Sequence, residues 1–216
     1  MPNHYPKLNP EKALIWRIVH RDNIDWILEN NLHSANSGVV APHYEVIGNR
    51  DLISRRLHRK VPVAPGGLLG DYVPFYFTPF SPMMYNIYTG RGDVPRRMNE
   101  EIIILVSSLH KINDLGIPFV FTDRHAYTPL AEFYNDVGDL VEVDWPLLQQ
   151  RNFQRNKDDP VQIERYQAEA LIHNCCPVDC LLGIVCYSDA VKLELEQKIS
   201  QRRLNLDVHK LPKWYF

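Results

Sequence analysis

A carboxylate at the start of an apolar run is the side chain of this sequence best placed to do chemistry. Glu169 follows a polar, charged stretch and precedes the apolar segment 170–172. If residues 168–173 form a strand, Glu169 shares one face with Leu171 and His173. Such a carboxylate either faces solvent at a strand edge or is held beside a ligand. A lone glutamate more commonly takes the first position, so the rest of the chain must decide.

Arginines at two places could contact an anion or pair with this carboxylate. Arg17 lies among apolar neighbours in a short β-type run at residues 14–19. A helix predicted over residues 49–60, with Asn49 as its cap, carries the densest positive charge of the chain. Its cations are Arg50, Arg55, Arg56, Arg59 and Lys60, against the single acidic residue Asp51. Such a block is usually a solvated helix face, but it also suits phosphate contacts.

The motifs of several common enzyme classes are missing. No Gly-x-Gly-x-x-Gly, P-loop or His-Glu-x-x-His motif occurs. Ser107, Asp123 and His125 would allow a Ser-His-Asp hydrolase, although no Gly-x-Ser-x-Gly elbow positions the serine. The four cysteines lie within residues 175–186, at spacings of neither zinc knuckles nor a spread disulfide framework. We therefore expect reduced, buried thiols and no metal site.

Length and composition limit the classes of protein to which this chain can belong. A chain of 216 residues with 45% hydrophobic and 23% charged residues suits one globular domain, which we predict over residues 1–216. The net charge of -2 does not favour nucleic acid as a whole, so any such binding must depend on a local basic cluster. No apolar run reaches membrane-spanning length, which predicts a cytoplasmic protein without a membrane partner.

Alternating strands and helices must position these residues. Strands are predicted at residues 14–19, 73–77, 102–106, 119–122, 168–173, 180–187 and 206–209. Helices are predicted after the caps Asp22 and Asn23, from Pro82 to Gly90, from Ser107 or Ser108 to Leu115, over 130–137, over 145–150, and from Ser188 or Asp189 to about Gln201. Residues 34–44 and 91–101 show no steady period and are predicted to be loops.

Five segments of the chain resemble the DarT family. They are residues 19–24, 65–77, 81–83, 119–125 and 167–169, of which 65–77 is the most specific. The resemblance runs from the first strand to the terminal Lys213-Trp214-Tyr215. The family comprises DNA ADP-ribosyltransferase toxins that are encoded beside a macrodomain antitoxin, DarG.

The resemblance implies the ADP-ribosyltransferase fold, an α+β core in which two small mixed or antiparallel sheets with flanking helices clasp NAD+. It implies transfer of ADP-ribose from NAD+, as co-substrate, to thymine in single-stranded DNA, with release of nicotinamide. Single-stranded DNA and a DarG-like antitoxin would be the partners. Transfer to guanine, RNA or protein, and a nucleic-acid-binding module without catalysis, are the alternatives.

The resemblance also assigns roles to individual residues. Glu169 matches the motif glutamate, which would stabilise the oxocarbenium-like ribose and could take the proton of thymine. Arg56 matches the family arginine and would stabilise the resulting anion, since its high pKa argues against a base role. The predicted NAD+ contacts are Arg17, Val19, Asn23, Tyr76 and Met83. The predicted DNA or site contacts are Arg55, Arg59 and His125.

Each of these assignments has a structural alternative. Tyr76 and Met83 could be core residues, Asn23 a helix cap, and His125 a histidine satisfied by its neighbours. Two positions also depart from the family pattern. Arg17 stands where many relatives have histidine, and an arginine there can still donate to a ribose hydroxyl, amide oxygen or phosphate. Phe80 stands where relatives often have arginine, which puts a contact at that position in doubt.

Overall fold

The computed structural model describes residues 5–216 as one large and one small β-sheet with flanking helices. Residues 1–4 of the predicted domain lie outside the described residues. The strands are β1 Leu14–His20, β2 Leu32–His33, β3 Tyr72–Tyr76, β4 Ile102–Ser108, β5 Phe119–Thr122, β6 Phe133–Tyr134, β7 Glu169–His173, β8 Cys175–Cys176, β9 Gly183–Cys186 and β10 Val208–Lys210. The α-helices are α1 Ile24–Asn30, α2 Arg50–Arg56, α3 Pro82–Thr89, α4 Leu109–Asp114, α5 Trp145–Gln149, α6 Gln162–Arg165 and α7 Asp189–Gln201.

The large sheet consists of two four-stranded halves joined at one residue pair. Its strand order is β10-β9-β4-β1-β3-β7-β5-β6, and β2 pairs with β8 in the small sheet. β1 pairs with β4 along its whole length, from Leu14 to His20, but pairs with β3 only at Trp16 and Tyr76. The predicted fold class is confirmed. The two small sheets expected from the resemblance are instead the halves of one sheet, because this central pair connects them.

Local hydrogen bonds explain where most helices begin. The side chains of Asn49, Ser81, Ser108 and Ser188 each accept a bond from a backbone N–H of the first turn, at α2, α3, α4 and α7. The predicted caps at Asn49, Ser108 and Ser188 are confirmed, and Ser81, which directly precedes the predicted start at Pro82, is a fourth. α3 ends at Gly90, whose left-handed backbone (φ 72°) favours glycine. α2 ends at Arg56, four residues before the predicted end.

Two local predictions are wrong because contacts distant in sequence override them. The helix predicted over residues 130–137 is replaced by β6, which pairs with β5, and by a 3₁₀ helix from Val137 to Glu142. Asn23 occupies the N-cap position of α1, but its side chain makes no capping hydrogen bond there. Its side-chain amide donates to the backbone oxygen of Glu45 at 2.9 Å, and its oxygen accepts from the backbone N–H of Glu45 at 2.8 Å.

The strand containing Glu169 lies inside the large sheet. β7 is hydrogen-bonded to β3 on one side and to β5 on the other, and Glu169 is paired with Tyr76 of β3. A strand with two neighbours presents no edge to solvent. The four cysteines are free thiols, as predicted; Cys176, Cys180 and Cys186 are buried, whereas Cys175 is half-buried.

Candidate active site

A cavity of about 890 Å³ opens where the halves of the large sheet meet, next to α2 and α3. This volume is in the range of pockets that hold small molecules and cofactors. Eight of the ten predicted site residues line it, namely Arg17, Val19, Arg55, Arg56, Tyr76, Met83, His125 and Glu169. The other two, Asn23 and Arg59, are not part of the lining. Asn23 reaches it indirectly, because the Glu45 that it binds is a lining residue.

Glu169 is held in the cavity wall by three hydrogen bonds. Its side chain is 1% exposed, so the alternative of a solvent-facing carboxylate at a strand edge is wrong. Arg56 donates from Nη1 to Oε1 at 3.1 Å and from Nη2 to Oε2 at 2.5 Å. The backbone N–H of Ala126 donates to Oε1 at 2.9 Å. This bidentate geometry is the strong form of an arginine–carboxylate pair.

The neighbours of Glu169 keep it ionised despite its burial. Burial by itself raises the pKa of this carboxyl, but the charge of Arg56, the proximity of His125 and the hydrogen bonds from Arg56 and Ala126 outweigh it. The pKa of Glu169 therefore lies below its ordinary value, and the group is a carboxylate at neutral pH. In return, Glu169 raises the pKa of Arg56 against the opposing effect of burial.

The cations of the predicted basic helix have different environments. Arg56, at the end of α2, is the one that reaches Glu169. Arg59 donates to the backbone oxygen of Tyr127 at 3.1 Å and lies over the ring of Phe133, so it anchors the segment after α2. Arg55 lines the cavity but is exposed. The charge pattern alone could not separate these three positions, and the resemblance to the family singled out Arg56.

Arg17 and Ser34 direct polar groups into the cavity wall. Nη1 of Arg17 donates to the backbone oxygen of Pro74 at 2.8 Å, which fixes the guanidinium between β1 and β3. Its Nε and the hydroxyl of Ser34 are buried and have no hydrogen-bond partner within residues 5–216. Such groups are costly unless a ligand satisfies them. The sequence did not reveal Ser34, because the loop around it has no periodicity.

His125 is a neutral imidazole with a fixed tautomer. Its Nδ1 accepts a hydrogen bond from the backbone N–H of Tyr127 at 3.2 Å, which leaves the proton on Nε2. Nε2 lies 4.0 Å from Oε1 of Glu169. Burial lowers the pKa of His125 and outweighs the opposing effect of Glu169. The histidine therefore presents an N–H donor to the same wall of the cavity as the carboxylate.

Tyr76 and Met83 both line the cavity, where they contact each other. The hydroxyl of Tyr76 donates to the sulfur of Met83 at 3.8 Å. Burial, followed by the charge of Glu169, raises the pKa of Tyr76, so the phenol stays protonated. Both side chains are half-buried rather than enclosed in the core.

The departure at Phe80 has a local explanation. Phe80 is buried outside the cavity, and the guanidinium of Arg151 lies 3.4 Å from the centre of its ring. A cation is therefore present beside position 80, but it comes from a different segment of the chain.

The residues of the alternative hydrolase are engaged elsewhere. The Ser107 hydroxyl donates to the backbone oxygen of Cys180 at 2.5 Å. Asp123 pairs with Arg124 and accepts from the backbone N–H of Glu132. Since no hydrogen bond joins Ser107, His125 and Asp123, the hydrolase alternative has no structural support. No cluster of three metal-binding side chains occurs within residues 5–216.

Comparisons with known proteins point to one class, the NAD+-dependent DNA ADP-ribosyltransferases. The family model described as "ssDNA thymidine ADP-ribosyltransferase, DarT" matches residues 16–216. A DNA ADP-ribosyl transferase of Escherichia coli O127:H6 is 57% identical over 209 residues, which cover 97% of this chain and 96% of that protein. One of Thermus sp. strain 2.9 is 36% identical and covers 96% of this chain and 98% of its own length.

Solved structures agree with the sequence comparisons. The Thermus sp. 2.9 DarT in complex with ADP-ribosylated ssDNA superimposes with a TM-score of 0.88 at 34% identity, covering 100% of both chains. Its complex with NAD+ gives a TM-score of 0.80 at 34% identity, covering 96% of this chain and 99% of that one. The chain belongs to the DarT family. It is an NAD+-dependent DNA ADP-ribosyltransferase, and NAD+ is its co-substrate.

The described part of the chain contains no helix that is long and apolar enough to cross a membrane.

Proposed function

We propose that Glu169 is the catalytic carboxylate of ADP-ribose transfer from NAD+ to thymine in single-stranded DNA. The observation that carries this role is a buried, ionised carboxylate in the cavity wall, held by Arg56 and Ala126. In the reaction, the bond between nicotinamide and ribose breaks and nicotinamide leaves with the electron pair. The ribose carbon becomes oxocarbenium-like, and a fixed negative charge stabilises it strongly where water is excluded.

Glu169 also has the chemistry to accept the proton of the base. The thymine ring nitrogen carries a proton at neutral pH, and its electron pair must form the new bond to the ribose carbon. A carboxylate within hydrogen-bond reach of the base can take that proton. Arg56, which stays charged, stabilises the base anion that forms. The N–H of His125 on the same wall is a further donor to the carboxylate or the base.

The polar groups without partners point to the NAD+ contacts. Arg17 lines the cavity and can donate a guanidinium N–H to a ribose hydroxyl, amide oxygen or phosphate, which is what the family histidine would otherwise provide. Ser34 lines the same cavity, and its hydroxyl has no other partner among residues 5–216. We assign Val19, Tyr76 and Met83 to direct contact with the dinucleotide. Asn23 acts through the backbone of Glu45, and Arg55 and Arg59 are assigned to the DNA side.

The chemistry of the product supports a role as a toxin. ADP-ribose on the thymine ring nitrogen occupies the base-pairing edge, so a template carrying it cannot pair at that position. A cell that makes this enzyme in its cytoplasm therefore needs an activity that removes the adduct. A DarG-like macrodomain antitoxin is the partner that we propose. We propose also that residues 1–216 act as one domain, in keeping with the continuous large sheet.

The test is a set of single-stranded oligonucleotides, each with one target base in an otherwise constant sequence, incubated with the protein and NAD+. We expect the intact mass of the thymidine oligonucleotide to increase by one ADP-ribose and the others to stay unchanged. Modification of a guanine oligonucleotide, or of RNA, would show that the acceptor is that nucleic acid rather than thymine in single-stranded DNA. Binding of oligonucleotides that does not depend on NAD+, without any mass increase, would show a non-catalytic module.

A further inference from the structure

Three arginines stacked on aromatic rings form a surface along α3, outside the cavity. Its pairs are Arg151 over Phe80 at 3.4 Å, Arg91 over Tyr85 at 5.5 Å and Arg96 over Tyr88 at 6.0 Å, measured from guanidinium carbon to ring centre. These six residues are called the arginine–aromatic surface below. All three distances are within the range of cation–π interactions. One helix and the residue before its cap thus supply all three rings.

The positive charge of this surface is not neutralised within the protein. Among residues 5–216, the arginines that form ion pairs are Arg21, Arg56, Arg97, Arg124, Arg165 and Arg202. Arg91, Arg96 and Arg151 are not among them, although Arg97, next in sequence to Arg96, pairs with both Glu45 and Glu101. Arg91 and Arg96 are exposed, and Arg151 is half-buried. These three cations are therefore free to bind an anion.

The surface meets the rim of the active-site cavity at the end of α3, where Gly92, which follows Arg91, lines the cavity. Met83 and Asn86 also line the cavity, from the side of α3 turned away from Tyr85 and Tyr88. Asn49, the cap of α2, donates from its amide to the backbone oxygen of Gly92 at 3.0 Å and so ties the start of the basic helix to this rim. An eight-residue helix is about 12 Å long, so the surface extends about that distance from the rim.

Residues 154–158 add positive charge beside α3. The ring of Phe153 packs against Tyr85, with ring centres 5.8 Å apart. This contact brings residues 154–158, which are exposed, next to α3. Arg155 and Lys157 of that segment also lack an ion-pair partner among the described residues. After this segment the chain continues through α6 to Glu169. The positive charges of Arg155 and Lys157 therefore lie on the stretch of chain that leads to the proposed catalytic carboxylate.

We propose that the arginine–aromatic surface binds the single strand that flanks the modified base. This proposal rests on the proposed function, because it names how the same substrate is held outside the cavity. Guanidinium groups fixed on rings present flat cationic faces on which bases can stack, and their outer N–H groups can donate to phosphates. Single-stranded DNA combines both ligands at a repeat short enough for several contacts along α3. The surface would thus hold the strand while one base enters the cavity.

The test compares two substrates that each contain one thymidine, a trinucleotide and an oligonucleotide of about 15 nucleotides. The quantity is the ratio of kcat/KM for the long substrate to kcat/KM for the short one. It is measured for the unaltered protein, for Arg91→Gln/Arg96→Gln, and for the triple variant with Arg151→Gln added. Arg203→Gln, an exposed arginine at the end of α7, is the matched control. The double variant changes only exposed residues, so it guards against misfolding of the triple variant.

We expect the triple variant to lose most of the preference for the long substrate. If three phosphate contacts are removed, raising the salt from 50 to 200 mM should lower the ratio of the unaltered protein about 20-fold more than the ratio of the triple variant. The double variant should lose an intermediate part, and Arg203→Gln should keep the full ratio. An unchanged ratio in the triple variant, or an equal fall in the control, would overturn the proposal. If the unaltered protein modifies neither substrate, the proposed function fails instead. Fluorescence anisotropy of the long oligonucleotide then still decides whether the triple variant loses salt-dependent binding.

Discussion

Replacing Arg56 with glutamine should destabilise the fold in a way that depends on pH. The variant leaves Glu169 buried without its counter-charge, and the loss of one partner of a buried pair typically costs about 3–5 kcal/mol. The carboxyl can avoid part of this by taking up a proton. For a carboxyl with the ordinary pKa of 4.5, protonation at pH 7 costs about 3.4 kcal/mol, because each pH unit above the pKa adds about 1.36 kcal/mol. We therefore expect a loss of about 3 kcal/mol at pH 7.

At pH 5 the same uptake costs only about 0.7 kcal/mol, so the difference between variant and unaltered protein should shrink to about 1 kcal/mol. Urea denaturation at both pH values measures it, and the melting temperature at pH 7 should fall by about 6–12 °C. Arg55→Gln, an exposed neighbour on α2, should change the free energy of unfolding by less than about 0.5 kcal/mol. A loss below about 1 kcal/mol at pH 7, or an equal loss at pH 7 and pH 5, would refute the reasoning.

Three further predictions concern the other residues of the cavity. Burial lowers the pKa of His125, so this residue contributes stability that is present above its ordinary pKa of 6.5 and is lost as the pH falls below it. In His125→Gln, the free energy of unfolding should therefore change less between pH 7 and pH 5 than in the unaltered protein. Ser34→Ala should raise the KM for NAD+ roughly 3–10-fold with little change in kcat. The control Ser54→Ala, at an exposed serine, should leave KM unchanged, and an unchanged KM in Ser34→Ala would contradict the role of Ser34. Arg17→Lys should raise the dissociation constant of NAD+ by about 10-fold or more in calorimetry, because lysine lacks the second donor; unchanged binding would show that Arg17 is structural.

The parts of the fold that could be predicted from the sequence depend on short-range hydrogen bonds. Ser81, Ser108 and Ser188 each bind a backbone N–H three residues later, so their cap positions are visible in the local sequence. Asn23 has the same side-chain chemistry, but the loop at Glu45 offers it two backbone partners and takes it away from the helix. No local sequence pattern reveals that the backbone of Glu45 competes with the helix for the side chain of Asn23.

The site itself is made by contacts that are distant in sequence. Arg56 and Glu169 are 113 residues apart, and only the resemblance to the family placed them together. β6 was predicted as helix because its stability comes from pairing with β5, and a strand of two residues leaves almost no periodicity. Ser34 was missed for a similar reason, since its significance is the absence of a partner in a buried wall. Burial and satisfaction of polar groups become visible only in three dimensions.

The role of Glu169 is tested most directly by measuring transfer and NAD+ binding on one variant. Glu169→Gln preserves the shape of the side chain and a hydrogen bond to Arg56, but removes the negative charge. We expect ADP-ribosylation of a thymidine oligonucleotide, followed by intact mass, to fall by about 100-fold or more, while calorimetry shows NAD+ binding within about 3-fold of the unaltered protein. Transfer at an undiminished rate by Glu169→Gln would contradict the assignment of this carboxylate to catalysis.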